Sequence, residues 1–216
     1  LCHVAGQCAF PAGLLPVITK AAARDNVKIH TANAIPYACP PNDAEDISWL
    51  RGYQMDAVKA AHISKRGILW LPTAAGKTEI AAAIMQTVPC KWLFIVHRAQ
   101  LVAQSSARYL SRTGEQAGML GGGNNTIERV TFATFQTLAR AFKGNDSEKS
   151  TRIRNLVKEV GGIIVDECHV LPASTFLSVS QKAEQAAYRI GLPATPNSRN
   201  DNGALYTIGA LGPVIY

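Results

Sequence analysis

Short runs of apolar residues alternate with helical stretches along most of this chain, and this alternation limits the possible folds more than any other feature. The runs predict strands at residues 67–71, 91–96, 128–133, 162–166 and 188–192. The intervening patterns predict helices at residues 47–62, 77–87, 98–112, 135–142, 148–159 and 173–187. Strands that are apolar at successive positions are buried on both faces, and the helices between them can cover both faces. The sequence therefore predicts an α/β fold with a parallel sheet flanked by helices.

The first 46 residues have a different pattern. Residues 11–25 predict a short helix and residues 27–31 a strand, and the proline- and acid-rich stretch at 35–46 is typical of a linker. We place a boundary near residue 46, so that 1–46 is an incomplete α+β accessory segment with a linker and 47–216 is the main domain. Since the chain starts with Leu1 rather than Met, we expect it to be cut from a longer protein. A segment this short is expected to pack on the domain that follows it.

Composition excludes several classes of protein. Hydrophobic residues make up 47% of the chain and charged residues 17%, which is globular rather than disordered composition. No apolar stretch approaches the roughly 18 residues that a membrane-spanning helix needs. The five cysteines have no CxxC spacing, and Cys2, His3 and Cys8 are too few for a tetrahedral metal site. We therefore expect a reduced, cytoplasmic protein.

The charge is uneven along the chain. Overall there are 22 Lys and Arg residues against 15 Asp and Glu, for a net charge of +7. Residues 1–46 carry three basic and four acidic residues, so the excess belongs to 47–216. No acid lies between Glu79 and Glu115, whereas Lys91, Arg98, Arg108 and Arg112 all do. Such a run indicates either a solvated helix face or a surface for an anionic partner, and charge alone does not separate the two.

The sequence LPTAAGKT at residues 71–78 follows a predicted buried strand and opens a helix. That context is the one a phosphate-binding loop requires, because loop and helix N–H groups can surround phosphates. Lys77 could reach the β- and γ-phosphates, and the Thr78 hydroxyl could hold Mg²⁺. The departure from the general pattern is Leu71, which stands where the first glycine is expected. Gly121–Gly123 with the following asparagines, by contrast, predict a turn between strands rather than a second phosphate loop.

A second signal is IIVDECH at residues 163–169, where an apolar strand ends in Asp166 and Glu167. An acid at a strand end can hold Mg²⁺, and the next carboxylate can activate a water. Alone, the pair would be an acidic strand end facing solvent. Following a phosphate-binding loop, it predicts a nucleotide-hydrolysing site.

Two weaker signals flank these. LRGYQ at residues 50–54 precedes the loop, and the Gln54 amide could read an adenine edge while Arg51 or Tyr53 stacks nearby. GLPATP at residues 191–196 follows the last predicted strand, where the Thr195 hydroxyl could sense the γ-phosphate.

Taken in order, six segments resemble the motifs of superfamily 2 helicases and translocases. They are LRGYQ, LPTAAGKT (motif I), FIVHRAQLVAQ (motif Ia), VTFATFQTL (motif Ib), IIVDECH (motif II) and GLPATP (motif III). The DECH form of motif II is similar to phage recombination helicases and to restriction and excision-repair translocases. Residues 47–216 resemble the first RecA-like domain of these proteins, and 10–30 resemble the end of a small accessory domain in phage members.

The resemblance implies roles for individual residues. Gln54 with Arg51 would read adenine, and Glu167 would polarise the attacking water. Phosphates and Mg²⁺ would be held by Thr73, Ala74, Ala75, Gly76, Lys77, Thr78 and Asp166. His169 and Thr195 would couple the nucleotide to nucleic acid. The backbone of one nucleic-acid strand would contact His97, Arg98 and Gln104 of motif Ia and Thr134 and Gln136 of motif Ib. Backbone contact predicts sequence-independent, salt-sensitive binding.

The family pattern also has gaps here. Pro193 stands where motif III normally has Ser or Thr, so its hydroxyl is missing. No arginine-finger motif of a second RecA-like domain follows Thr195, and such fingers are worth about 10³–10⁵ in rate in related enzymes. We therefore expect a bacterial or phage-encoded, ATP-dependent DNA motor whose first domain alone hydrolyses ATP poorly. The alternatives are an RNA-dependent helicase, a translocase core that never separates strands, and a non-catalytic nucleotide-binding module.

Overall fold

The computed structural model describes residues 2–4, 7–27, 29, 38–144, 147–168, 173–194 and 203–216. Its strands are β1 (Cys2–Val4), β2 (Gln7–Ala9), β3 (Arg66–Ile68), β4 (Trp92–Val96), β5 (Gly118–Gly121), β6 (Asn124–Asn125), β7 (Val130–Thr134), β8 (Gly162–Asp166) and β9 (Tyr188–Leu192). Its helices are α1 (Leu15–Arg24), α2 (Gly52–Ser64), α3 (Lys77–Thr87), α4 (Ala99–Thr113), α5 (Phe135–Ala141), α6 (Glu148–Glu159), α7 (Ala173–Gln181) and α8 (Gly203–Leu211). None of the helices in these ranges is long and apolar enough to cross a membrane.

Seven strands form one sheet in the order β3-β9-β8-β4-β7-β5-β6. All neighbouring pairs are parallel except β5 and β6 at one edge. The parallel strands end at the same edge of the sheet, which we call the carboxyl edge. The predicted α/β class with a parallel sheet is confirmed.

Helices cover both faces of this sheet, because alternate residues of each strand point to opposite sides. Phe94 and Ile164 pack on one side with α2, α3 and α4. Ile95 and Val165 pack on the other with α5, α6, α7 and α8. The two apolar clusters explain why the strands are hydrophobic at successive positions rather than at every second one.

Several predicted elements match the observed bounds. The helix at 77–87, the helix at 148–159 and the strands at 162–166 and 188–192 are all confirmed. Two of these starts have local causes. Ser147 accepts a hydrogen bond from the Ser150 N–H and caps α6, and Gly76 ends the loop before α3 in a left-handed conformation.

Other boundaries were wrong. The helix predicted from residue 47 begins only at Gly52, because the Asp46 carboxylate accepts the Ser48 N–H and holds a turn. The helix predicted to residue 187 ends at Gln181, because the buried Arg189 side chain binds the carbonyls of Ser180, Ala183 and Ala186.

The predicted turn at 121–123 joins two strands, β5 and β6, of which the sequence analysis predicted neither. All three glycines have positive φ. At Gly121 an added Cβ would lie 2.9 Å from the Thr134 methyl carbon, so β5 passes close to the end of β7. Glycine at this position therefore permits a close approach as well as a turn.

The N-terminal segment contains an antiparallel β1–β2 pair and helix α1, in agreement with a small α+β appendage. Val27 and Ile29 are not in a strand, and the rest of the strand predicted at 27–31 lies outside the described residues. The turn before α1 packs on α8. A Cβ on Gly13 would lie 2.1 Å from the Ile208 carbonyl oxygen and 2.7 Å from that of Gly209.

This contact predicts that Gly13→Ala undocks the N-terminal segment, because the added methyl group would overlap the α8 backbone. We expect faster amide hydrogen exchange across α1 and a loss of roughly 1–3 kcal/mol of docking free energy. Gly52→Ala is the matched control, since a Cβ there meets nothing within 4 Å. Unchanged exchange in α1 of the Gly13 variant would show that the contact does not hold the segment.

Candidate functional site

The predicted motifs gather at the carboxyl edge of the sheet. Strand β9 lies between β3, which leads into the loop at 71–78, and β8, which ends at Asp166. The segments after β4 and β7 lie on the far side of β8. The sheet order therefore places the nucleotide motifs together and the two predicted nucleic-acid segments beside them.

The loop at 71–78 has the backbone shape of a phosphate cradle. Ala74 has φ +66° and Gly76 has φ +76°, so two residues of the loop before α3 adopt the left-handed conformation. Gly76 is required by space as well, because a Cβ there would lie 2.3 Å from Gln54 Nε2. No side chain caps α3, whose first N–H groups are thus available to an anion. Thr73 and Ala74 are exposed, whereas Ala75 is buried.

The predicted adenine-reading residues brace this loop. Gln54 Nε2 donates to the Ala75 carbonyl at 2.9 Å, and Gln54 Oε1 accepts the Arg51 N–H at 2.9 Å. The Tyr53 hydroxyl donates to the same Ala75 carbonyl at 3.0 Å. The Gln54 side chain is only 5% exposed, whereas Arg51 is exposed. The structure thus gives Gln54 and Tyr53 a supporting contact that the sequence did not predict, and adenine recognition stays a prediction.

Lys77 and the acid pair meet across β9. Lys77 Nζ lies 3.0 Å from Glu167 Oε1, with the two side chains 11% and 23% exposed. Asp166 Oδ1 accepts the Glu167 N–H at 3.0 Å. Glu167 has φ +48°, an uncommon conformation for a residue other than glycine that often marks a functional position. The next residue, Cys168, is a buried thiol whose pKa is raised to about 12 by burial, so it stays protonated.

The site carries more negative charge than its single lysine balances. Burial and the neighbouring Glu167 together raise the pKa of Asp166 to about 6, against the opposing effect of Lys77. Thr78 is half-buried, and its hydroxyl has no hydrogen-bond partner among the described residues. A half-buried carboxylate and a hydroxyl at the same edge of the sheet are hard oxygen ligands of the kind that Mg²⁺ takes. The residues present therefore fit a divalent cation next to a phosphate group.

The segments after β4 and β7 are joined to each other. Gln136 Nε2 donates to the His97 carbonyl at 3.0 Å, and both Gln136 and Arg98 are exposed. His97 Nδ1 is buried without a hydrogen-bond partner in the described part of the chain. Thr134 is 5% exposed, and its hydroxyl caps α5 by accepting the Thr137 N–H. Gln104 is exposed on α4.

The basic run between Glu79 and Glu115 is not a single surface. Lys91 pairs with Glu159 at 2.7 Å, and Arg108 and Arg112 both pair with Glu79 on α3. Arg98 alone of the four lies at the carboxyl edge, and it makes no ion pair within the described residues. Of the two interpretations that the charge pattern left open, three of the four cations fit a solvated face, because they pair with acids distant in sequence.

The two predicted coupling residues, His169 and Thr195, lie outside the described residues. The sequence analysis missed the Ala194 main-chain N–H, which donates to Glu167 Oε2 at 3.2 Å. No sequence pattern marks a backbone donor, so only the pairing of β8 with β9 reveals it.

A phosphate cradle after one strand and an acid pair two strands away define a P-loop nucleotide-binding domain with a RecA-like sheet. The model of the Type III restriction enzyme res subunit family matches residues 48–198. The chain belongs to this family, which is part of helicase superfamily 2. The family resemblance inferred from the six motifs is confirmed.

Relatives and solved structures agree with this assignment. The chain is 33% identical over 167 residues to the DNA 3′-5′ translocase XPB2 of Sulfurisphaera tokodaii, covering 77% of this chain and 35% of that protein. It is 31% identical to the DNA 3′-5′ helicase XPB of Mycobacterium tuberculosis, covering 68% of this chain and 26% of that protein. The crystal structure of the UvsW helicase from bacteriophage T4 has the same fold, with a TM-score of 0.75, 21% identity, and coverage of 94% of this chain and 78% of that one. The chain thus spans about a third or less of the two curated relatives.

The raised pKa of Asp166 predicts a stability that depends on pH. In the folded state its pKa is about 6, above the usual value of 3.8, so the ionised carboxylate destabilises the fold at neutral pH. Asp166→Asn should raise the free energy of unfolding at pH 7.5 by on the order of 1–3 kcal/mol, because the buried charge is removed.

This gain should shrink as the pH falls through 6 and vanish below about 4, where the wild-type carboxyl is protonated in both states. Denaturant unfolding at several pH values measures it, with the exposed Asp56→Asn as control. A gain that persists at pH 4 would contradict the electrostatic cause.

Proposed function

We propose that this chain is the first motor domain of an ATP-dependent DNA helicase or translocase, and that it couples MgATP hydrolysis to movement on DNA or DNA remodelling. The observation that carries the proposal is the contact between Lys77 and Glu167 beside the loop at 71–78. That contact joins a phosphate-binding cation to a candidate general base in one site. The names of the relatives, which are DNA translocases and helicases, support DNA as the track.

In this proposal the residues of the site have different roles. Residues 73–77 bind the phosphates, Thr78 and Asp166 hold Mg²⁺, and Gln54 with Arg51 contacts adenine. The Mg²⁺ ion supplies charge neutralisation of the phosphates. Lys77 exchanges its carboxylate partner for phosphate oxygens, which removes the lysine contact from Oε1 of Glu167. Glu167 then accepts the proton of a water whose oxygen bonds to the γ-phosphorus as the bond to ADP breaks.

The nucleic-acid side uses the segments after β4 and β7. His97, Arg98, Gln104, Thr134 and Gln136 are proposed to position one strand through its sugar–phosphate backbone. The Gln136 to His97 bond supports a joint surface, since it fixes the two segments relative to each other. Backbone contacts carry no sequence information, so binding is sequence-independent. His169 and Thr195 are proposed to couple this surface to the nucleotide.

The proposal places further parts of the motor outside 47–216. A second RecA-like domain of a longer protein would supply arginine fingers, which contribute about 10³–10⁵ in rate in related enzymes. Residues 1–46 would be the accessory segment and linker that precede the motor. Because the relatives are about three or more times longer than the matched region, turnover is best measured in the full-length protein.

Glu167→Gln should leave nucleotide affinity within about threefold and lower kcat by about 10²–10⁴-fold, because a neutral amide cannot accept the proton. Lys77→Ala should instead weaken nucleotide binding itself. Phosphate release and fluorescent-nucleotide titration separate the two effects, with Lys59→Ala on the exposed face of α2 as control. Unimpaired turnover of the Glu167 variant would reject it as the base, and unchanged affinity of the Lys77 variant would reject the phosphate role.

DNA should stimulate phosphate release by the full-length protein more than RNA does. Arg98→Ala should weaken DNA binding, because one phosphate contact is lost. The slope of the logarithm of the binding constant against the logarithm of the salt concentration should become shallower by about one. Lys59→Ala is again the matched control, because it also removes one exposed cation. Greater stimulation by RNA would show that the motor moves on RNA rather than DNA. Stimulation without strand displacement would identify a translocase core. No stimulation by any nucleic acid would contradict the proposed motor.

A further inference from the structure

Pro193 removes the hydroxyl that motif III usually offers, yet the contact between motif III and the acid pair is intact. The residue after it, Ala194, donates its main-chain N–H to Glu167 Oε2 at 3.2 Å. In return the Glu167 N–H donates to the Leu192 carbonyl at 3.1 Å. Pro193 itself has neither an N–H nor a hydroxyl and makes no such bond. Motif III and motif II are thus joined by main-chain groups.

The two oxygens of the Glu167 carboxylate have different partners. Oε1 contacts Lys77, which follows β3, and Oε2 contacts Ala194, which follows β9. Lys77 is a flexible, charged side chain that a phosphate can attract away. The Ala194 N–H belongs to the backbone just beyond Pro193, and the preceding strand β9 pairs with β8 up to the Asp166–Leu192 position. The second donor is therefore a main-chain group close to the end of the sheet.

We propose that the Ala194 main-chain N–H is the positioning group for the Glu167 carboxylate, and that motif III of this protein acts through its backbone without a hydroxyl at position 193. This inference rests on the proposed function, because it assigns how the general base of that reaction is held. When Lys77 moves to the phosphates, Oε1 loses its lysine contact while the Ala194 N–H still binds Oε2. A main-chain donor then continues to restrict the rotation of the carboxylate.

The donor can be deleted without changing a side chain. In the full-length protein, lactic acid introduced at position 194 by nonsense suppression replaces the N–H with an ester oxygen and keeps the methyl group. We expect kcat to fall by about tenfold or more, since a hydrogen bond to a charged group is lost, while KM and nucleotide affinity stay within about twofold. Alanine reincorporated by the same method is the matched control. An unchanged kcat, or a loss seen only in KM, would overturn the proposal.

Two further variants separate positioning from general damage. Glu167→Asp shortens the acid, which should then no longer reach Ala194. In this variant the ester should therefore lower kcat by less than about twofold. An equal loss in both backgrounds would show that the ester acts elsewhere. Pro193→Ser should leave kcat within about twofold, and a several-fold gain would show that the hydroxyl was needed. Wild-type turnover without nucleic-acid stimulation would reject the proposed motor instead, so the two failures are distinguishable.

Discussion

The pairing of β9 between β3 and β8 is the constraint on which the nucleotide site depends. β9 bonds to both neighbours in parallel register, from Arg66–Arg189 on one side to Asp166–Leu192 on the other. This register sets the separation that Lys77 must bridge to reach Glu167, and it brings the Ala194 N–H to the other oxygen of that carboxylate. At Gly191 an added Cβ would lie 2.7 Å from a Leu211 methyl carbon and 3.1 Å from the Cys168 sulfur, so glycine lets these side chains pack closely on β9 beneath the site. Packing beneath the site and geometry within it are therefore set by the same strand.

The site also contains features that destabilise the folded chain. Two adjacent carboxylates share one lysine, Asp166 has a raised pKa, and the backbone of Glu167 has φ +48°. Each feature destabilises the folded chain, and residues with such strain persist only where the surroundings hold them in place. Here the holding groups are β8 and β9, whose side chains are buried nearly throughout. The cost is offset by apolar burial in the strands, and the unbalanced charge is left to attract a cation.

The sequence predicted those parts of the fold whose causes are local. The bounds of α3 and α6 follow from Gly76 and Ser147, and the buried strands β8 and β9 follow from continuous apolar runs. Sequence-based prediction failed where contacts with residues distant in sequence determine an element. The end of α7 depends on Arg189, which lies on a strand beyond it, and β5 is a short, glycine-bounded segment without an apolar run.

The candidate site shows the same division. Motif spacing was enough to predict that Lys77 and Glu167 belong to one site, because both follow buried strands. Which groups touch was not predictable, since the Ala75 carbonyl that binds Gln54 and the Ala194 amide have no side-chain signature. The charge pattern left two interpretations open for a related reason. Whether Arg108 and Arg112 face a phosphate or Glu79 depends on how α3 and α4 pack, which linear sequence does not show.

The two halves of the carboxyl edge differ in how their polar groups are satisfied, and this difference suggests where a response to nucleotide begins. On the side of β3 and β9 the central contact is an ion pair, whose lysine can exchange a carboxylate for a phosphate. On the side of β4 and β7 the contacts are neutral, with Thr134 capping α5 and Gln136 bonding to the His97 carbonyl. Neutral hydrogen bonds of this kind offer no charge for a phosphate on the far side of β8 to displace. A change that starts at Lys77 would therefore pass first to Glu167 and the end of β9. Among the described residues, a direct connection to the second half is the pairing of β8 with β4, from Trp92–Gly162 to Ile95–Val165.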